Sequence, residues 1–404
     1  MRPLRIALFS ESAPPVVNGV SVSVATLRHG LVQLGHEVHL YANRYPGHRE
    51  NDSRTHRFLA LTFPFWRNYP LTMPPAYPWL GEFRRTRFDV IHTHTPFPVG
   101  MIGLRWGESE RIPVVSTYHT LYDRYAHYVP LVPRRSVRAR LARHTHYYYN
   151  RCNRVITPSE TARRWLERHA VQTPITVIPT GAAPIVLPDR SDARARFGLP
   201  DAVPVVLWVG RLAREKNWPL WVETIRRFAE QSRPGETPFS VLVVGDGPDR
   251  RAMQRALQQA LGDACRSQWP GMVPPAEVGS AYAAADAFLF TSLTETQGLV
   301  VQEARRHGLP VVAAASGGVE EVLRGDPGAW LVRPDATALA AALAEALGAA
   351  RATRREGIEL APGPAMLTDL EMATRVVEVY RQVLELTRAA VGSDGHAPDF
   401  GSPK

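Results

Sequence analysis

Short apolar, β-branched runs alternate with helical stretches along most of this 404-residue chain, and no other feature limits the fold so strongly. RIALFS opens the series. After a Pro/Gly loop, GVSVSVATLRHGLVQLG reads as a helix closing near Gly35, and EVHLYA follows as a second strand. FDVIHTHT, IPVVSTYHT, RVITPS and ITVIPT supply further strands. A joint rich in Pro and Ala, residues 179–188, interrupts the rhythm, which restarts through VPVVLWVGR, FSVLVVGDG, AFLFTS, LPVVAA and AWLVRP. Strands that alternate with helices imply parallel sheets covered on both faces. The repeat on either side of the joint predicts an α/β chain of two doubly wound, Rossmann-like domains, residues 1–183 and 190–366. A helix over 367–391 and a disordered tail over 392–404 complete the expected organisation. Ligands in such folds lie at the carboxyl ends of the strands, so the cleft between two such domains is the expected site.

The composition is that of a globular protein with a real core, 45% hydrophobic and 21% charged. No stretch reaches the roughly 18 consecutive apolar residues that span a bilayer. The N-terminus, MRPLRIALFSESAPP, is basic but has no long apolar region and no small-residue cleavage site, so no signal peptide is expected. Two cysteines, Cys152 and Cys265, supply neither a disulfide framework nor a structural zinc site. These features predict a cytoplasmic protein.

Charge is unevenly placed. Residues 1–190 carry 25 Arg against 12 acids, a balance of +13, whereas residues 191–404 carry 23 Lys and Arg against 26 acids. Such asymmetry points to an anionic partner, a membrane surface or nucleic acid. Eight Arg and no acid lie in residues 124–154, and RRSVRARLARHTHYYYNR within it reads as a basic helix carrying Leu and Tyr. Arg134, Arg135, Arg138 and Arg140 are its candidate membrane contacts. Residues 62–83 hold Phe63, Phe65, Trp66, Tyr69, Tyr77, Trp79 and Phe83 among many prolines, an irregular aromatic segment suited to headgroup depth or to packing on its own domain. All but two of the 48 basic residues are Arg; the one internal lysine is Lys216, which suggests that a compact ammonium is wanted there.

The common catalytic signatures are missing: the chain has no G-x-x-x-x-G-K-[ST], no G-x-S-x-G, no H-E-x-x-H and no Asp-x-Asp pair. His92 and His94 share one strand face and, with His119, raise the question of a metal, but no Cys or carboxylate clusters with them in sequence. A polar strand end lining the site is the better reading, and no metal or other cofactor is expected. The remaining groups suit an anionic, polyhydroxylated ligand. VGRLAREKN puts Arg211 and Lys216 in a strand-end loop, where two cations can neutralise a diphosphate leaving group. TSLTETQGLVVQEA puts Glu295 in a loop, Gly298 at a helix start and Glu303 inside that helix. The amides of Thr296, Gln297, Gly298 and Leu299 could meet an anion there, and the two carboxylates could grip hydroxyls. PPVVNGVS adds an expected turn at Asn18–Gly19 before a helix, a second backbone site for phosphate.

TETQGLVVQEA together with VGRLAREKN resembles the signature of family 4 retaining glycosyltransferases of the GT-B fold. The resemblance continues through PPVVNGVSVSVATLRHGLVQLGHEV, IHTHTPFPVGMIGL, PVVSTYHTLYDRY, VIPTGA, VVGDGP and AASGGVEEV, about residues 4–335. It implies two Rossmann-like domains facing each other across a cleft, with the C-terminal helix packing back toward the N-terminal one. It implies a nucleotide-sugar donor, with Glu303 on the ribose and Glu295 and the 296–299 backbone facing the donor sugar. Arg211 and Lys216 match the family's diphosphate clamp, Gly19 its donor-phosphate loop, and His119 the histidine near the reacting carbon. His119, Arg211, Lys216 and Glu295 are the expected catalytic groups. Asn18 departs from the paired glycines of many members, and Gln297 from their Phe. Gln297, HTHTPFPVG, STYHTLYDRY and FWRNYPLTMP look more like the subgroup that glycosylates lipids.

The resemblance implies retention through an oxocarbenium-like transition state, with closure around the donor excluding water. The expected enzyme is a hexosyltransferase, UDP-glucose favoured, acting on a lipid such as diacylglycerol at the inner face of the cell membrane. GDP-mannose or UDP-galactose donors, and phospholipid, glycolipid or soluble saccharide acceptors, are the alternatives. Nucleic acid is not an expected partner, since no recognition module accompanies the Arg-rich stretch.

Overall fold

The computed structural model describes residues 2–61, 71–72, 79–122, 133–182, 188–231, 239–262, 265–356, 363 and 365–393. The chain forms two compact units. The first is assembled from Met1–His119, Tyr128–Ala183 and Leu367–Lys404, and the second chiefly from Pro184–Met366.

The first unit is built on a seven-stranded parallel sheet. Its spatial order is Thr55–Phe58, Glu37–Asn43, Arg5–Ser10, Val90–Thr93, Val114–Thr117, Arg154–Thr157 and Ile175–Val177. The order reverses at Arg5–Ser10, which pairs in parallel with Glu37–Asn43 on one side and Val90–Thr93 on the other. Ligands bind beyond the carboxyl ends at such a reversal. On one face, Ile6, Leu8, Val38, Val90 and Ile156 pack with Leu27 and Leu31 of the Gly19–Gln33 helix and with Ala373, Val376 and Tyr380 of the Asp369–Ser393 helix. On the other face, Phe9 stacks on Tyr41 with centroids 4.6 Å apart, and Phe83 lies 4.7 Å from Trp106. Phe83 is therefore a core residue, and Trp79 donates from Nε1 to the Arg57 carbonyl at 3.2 Å. Of the two readings of this aromatic segment, packing on its own domain holds for these two rings and headgroup depth does not, because both find partners within their own unit. Phe63, Phe65, Trp66, Tyr69 and Tyr77 lie outside the described residues.

The C-terminal helix packs against Gly19–Gln33 at very short range. A Cβ on Gly30 would stand 2.3 Å from the Asp369 carbonyl oxygen, so only glycine allows this approach. His29 Nδ1 lies 2.5 Å from Asp369 Oδ2 beside it. The departing and returning stretches of chain meet where Ala182 N donates to the Leu367 carbonyl at 2.8 Å. Residues 394–404, most of the expected tail, lie outside the described residues.

The second unit holds a six-stranded parallel sheet in the order Arg266–Gly271, Ser240–Val244, Val205–Val209, Ala287–Phe290, Val311–Ala314 and Ala329–Val332. Helices cover both faces: Phe288, Val301 and Ala304 belong to one core cluster, and Trp221, Leu339 and Leu343 to the other. Besides the short antiparallel pair Ala60–Leu61 and Leu71–Thr72, two edge strands escaped the sequence reading, THRF in the first unit's sheet and RSQWPG in the second unit's. Edge strands are half-paired, and neither segment carries the continuous apolar run by which a buried strand is recognised.

Candidate active site

In the second unit the Val205–Val209 strand ends at Gly210, and the chain passes through Arg211 into a single 3-10 turn, Arg214–Lys216. Hydroxyls and a carbonyl after the Ala287–Phe290 strand stitch this turn in place. Thr294 Oγ1 donates to the Glu215 carbonyl at 3.2 Å, Ser292 Oγ lies 3.3 Å from the same carbonyl, and Asn217 Nδ2 donates to the Thr291 carbonyl at 3.2 Å. The Arg211 side is fixed by the GDGP loop, where Leu212 N donates to the Asp246 carbonyl at 3.0 Å. Lys216 Nζ thereby reaches Glu295 Oε1 at 2.6 Å, and Ser292 Oγ donates to the same oxygen at 2.6 Å. Burial alone would raise the Glu295 carboxyl, but the Lys216 ammonium and these hydrogen bonds hold it below its ordinary value. Arg211 Nη1 stands 3.8 Å from Glu215 Oε1. The two cations predicted from sequence thus each have a carboxylate on one side, and Lys216 and Glu295, 79 positions apart, form one unit.

Gly298 caps the Leu299–Arg306 helix with φ +74, a left-handed conformation that suits glycine. The loop before it carries Thr296 and a buried Gln297, and its amides lead into the helix start. Five residues on, Glu303 accepts from Tyr282 Oη at 2.8 Å. Burial raises the Glu303 carboxyl, against that hydrogen bond and the Arg306 charge. Arg305 fastens the same helix with a buried fork onto Asp326, 2.8 and 2.9 Å to the two oxygens.

In the first unit, the turn expected at Asn18–Gly19 is a helix start instead. Asn18 is extended, with φ −154, and its Oδ1 accepts from Ser21 N at 2.9 Å, while Gly19 is the first helical residue. Asn18 is a side-chain cap, a contact that a glycine has no side chain to make. His92 is buried and engaged on both nitrogens, by Tyr380 Oη at 2.6 Å and Thr117 Oγ1 at 2.7 Å. His94 Nδ1 meets His119 Nε2 at 3.0 Å. The histidines face one another and these hydroxyls, and no group of three His, Cys, Asp or Glu among the described residues could hold a metal ion. Glu11 directly follows the Arg5–Ser10 strand. Its Oε1 accepts from Val99 N at 2.6 Å, at the start of the Pro98–Glu110 helix, and its Oε2 is buried without a partner.

The arrangement can be set beside known proteins. Residues 17–184 match the model of Glycosyltransferase Family 4, and residues 203–349 that of Glycosyl transferases group 1. The chain is 30% identical to an Alpha-monoglucosyldiacylglycerol synthase of Acholeplasma laidlawii, over 76% of this chain and 80% of that one. It is a family 4 glycosyltransferase. A GDP-mannose-dependent alpha-mannosyltransferase of Mycolicibacterium smegmatis is also 30% identical, over 79% of this chain and 82% of its own length. Among solved structures, Sucrose-phosphate synthase from Thermosynechococcus elongatus superimposes with a TM-score of 0.71 at 22% identity, covering 95% of this chain and 100% of that one. The fold of this glycosyltransferase is GT-B, two Rossmann-like domains in one chain.

The glycosyltransferase's Arg-rich segment forms the Arg134–Tyr149 helix. Arg135, Arg138 and Arg140 are exposed, whereas Val137, Tyr148 and Tyr149 are buried. Tyr147, 49% exposed, has the Arg151 guanidinium carbon 5.1 Å from its ring centroid. The outer face is thus chiefly cationic, and the Tyr148 and Tyr149 rings belong to the core. No helix among the described residues is long and apolar enough to cross a membrane. Sequence reasoning missed Ser292, Tyr282, Tyr380, Thr117 and Glu11. Only the hydroxyl-rich run TSLTET hinted at one of them, since a strand end crowded with small hydroxyls suits a polar site.

Proposed function

We propose that this glycosyltransferase transfers a hexosyl group, with retention and without a metal ion, from a nucleotide sugar to a membrane lipid of the diacylglycerol class. UDP-glucose is the favoured donor. The observation that carries the acceptor is the 30% identity to a protein named as a synthase of monoglucosyldiacylglycerol, over four-fifths of that protein. The exposed Arg135, Arg138 and Arg140, with Arg134 at the head of the same helix, support a peripheral position on an anionic leaflet.

In this reading the negative charge that develops on the departing nucleoside diphosphate is met by Arg211, by Lys216 and by the amides of Thr296, Gln297, Gly298 and Leu299. Glu295 stays ionised and keeps the Lys216 ammonium aimed. Glu303, oriented by Tyr282, accepts from ribose hydroxyls. From the resemblance, Gly19 serves the donor phosphate and His119 the reacting sugar. A second reading, GDP-mannose as donor, is favoured by the equal identity to the mannosyltransferase.

The test is a donor screen. The purified chain is incubated with anionic vesicles containing diacylglycerol and labelled UDP-glucose, UDP-galactose or GDP-mannose, and the lipid phase is extracted. Label from UDP-glucose in the lipid is the expected result. Donor consumption with label left in water would refute the lipid acceptor and leave the donor site standing.

A further inference from the structure

The first unit carries a buried histidine column. His92, His94 and His119 stack with centroids 4.3 and 5.3 Å apart, at the carboxyl ends of the Val90–Thr93 and Val114–Thr117 strands. Tyr380 and Thr117 pin His92 from both sides, and His94 rests on its face. His94 is fully buried, with Nδ1 on His119 Nε2 at 3.0 Å and its own Nε2 buried without a hydrogen-bond partner.

Two neutral imidazoles joined nitrogen to nitrogen share one proton, so one donates and the other accepts. If His119 donated, His94 would carry its own proton on Nε2, an N–H with nothing to receive it. Orphaned buried N–H groups are the rarer defect, and the opposite polarity leaves only a lone pair unmatched. Burial pushes all three rings down, His92 and His119 to about 3 and His94 well below its usual value, so a charged ring does not compete at neutral pH.

We propose that His94 donates from Nδ1–H to Nε2 of His119 and so fixes His119 as the Nδ1–H tautomer. His94 is then a positioning residue. The nitrogen of His119 that faces away from His94 is a hydrogen-bond donor and not a base. The consequence for transfer rests on the reading of His119 given above, whereas the tautomer does not.

The full chain, labelled with ¹⁵N-histidine, is examined by long-range ¹H–¹⁵N correlation NMR, with signals assigned by single substitutions. Wild-type His119 is expected to show a bare Nε2 and a protonated Nδ1. His94→Phe, which keeps a ring but no donor, should move His119 toward the Nε2–H form. It should also lower kcat about tenfold while donor KM changes less than about twofold. His94→Asn, which places an amide N–H near the former Nδ1, should restore the tautomer and most of kcat. A wild-type His119 protonated on Nε2, or a tautomer unchanged in His94→Phe, overturns the proposal. If His94→Phe fails to fold, the wild-type spectrum alone decides the polarity. The expected tautomer together with full activity in His119→Ala overturns the positioning role, and locates the failure in the reading of His119.

Discussion

Lys216 is the one internal lysine in a chain that otherwise uses arginine, and its surroundings supply a reason. An ammonium puts its whole charge at one nitrogen, 2.6 Å from Glu295 Oε1 while Ser292 shares that oxygen; a guanidinium spreads its charge over a planar fork. Lys216→Ala is expected to lower kcat by roughly 10²–10³ with the thermal transition little changed, and Lys216→Arg to recover only part of it. Steady-state kinetics beside circular-dichroism melts would check this. Lysine scarcity made the residue legible in the sequence. Its pairing with Glu295, itself an expected site residue, was not, because a contact across 79 positions depends on strand order. Glu11 was illegible altogether. Burial raises its carboxyl from 4.5 to about 7, against backbone hydrogen bonds such as that from Val99. The folded chain therefore holds this proton to higher pH than the unfolded chain, and the stabilisation from protonation is complete below pH 4.5 and lost as pH rises toward 7. The loss is about 3 kcal/mol in order of magnitude. Glu11→Gln should flatten the fall in Tm between pH 5 and pH 8, measured by melting both proteins across that range.

Among the elements, the helices were read well where apolar periodicity was strong. Gly19–Gln33 and Asp369–Ser393 fall within two residues of the expected limits. What periodicity cannot give is which faces meet. Glycine is a poor helix former, and only the contact with the Asp369 carbonyl explains Gly30 inside this helix. Gly30→Ala should therefore destabilise the first unit by about 1–3 kcal/mol, despite alanine's better helix propensity. The denaturant midpoint reads this out, and a stabilised variant would refute the close packing. Tyr380→Phe is expected to cost about 1–3 kcal/mol by leaving the buried His92 Nδ1 without its partner. The edge strands were lost for the converse reason, since they depend on a neighbour's ladder more than on their own apolar residues.

For the whole molecule, the twofold strand–helix rhythm was enough to predict two doubly wound units, because burial on both sheet faces writes itself into sequence as continuous apolar runs. The charge imbalance was equally legible, but its form was not. The Arg134–Tyr149 helix keeps its Tyr148 and Tyr149 rings inside, so attraction to a bilayer is expected to be electrostatic. Binding to anionic vesicles should fall steeply between about 50 and 300 mM salt, and replacing Arg134, Arg135, Arg138 and Arg140 by Ser should weaken it at low salt. Vesicle co-sedimentation tests both, and salt-insensitive binding would point to inserted apolar groups instead. The return of the last helix to the first unit has a consequence for biosynthesis. The unit that leaves the ribosome first lacks Ala373, Val376 and Tyr380 of its core until the Asp369–Ser393 helix has emerged, whereas most of the second emerges as one stretch. The order of emergence is therefore the reverse of the order of completion, and a nascent chain stalled before residue 369 exposes the apolar groove that this helix fills.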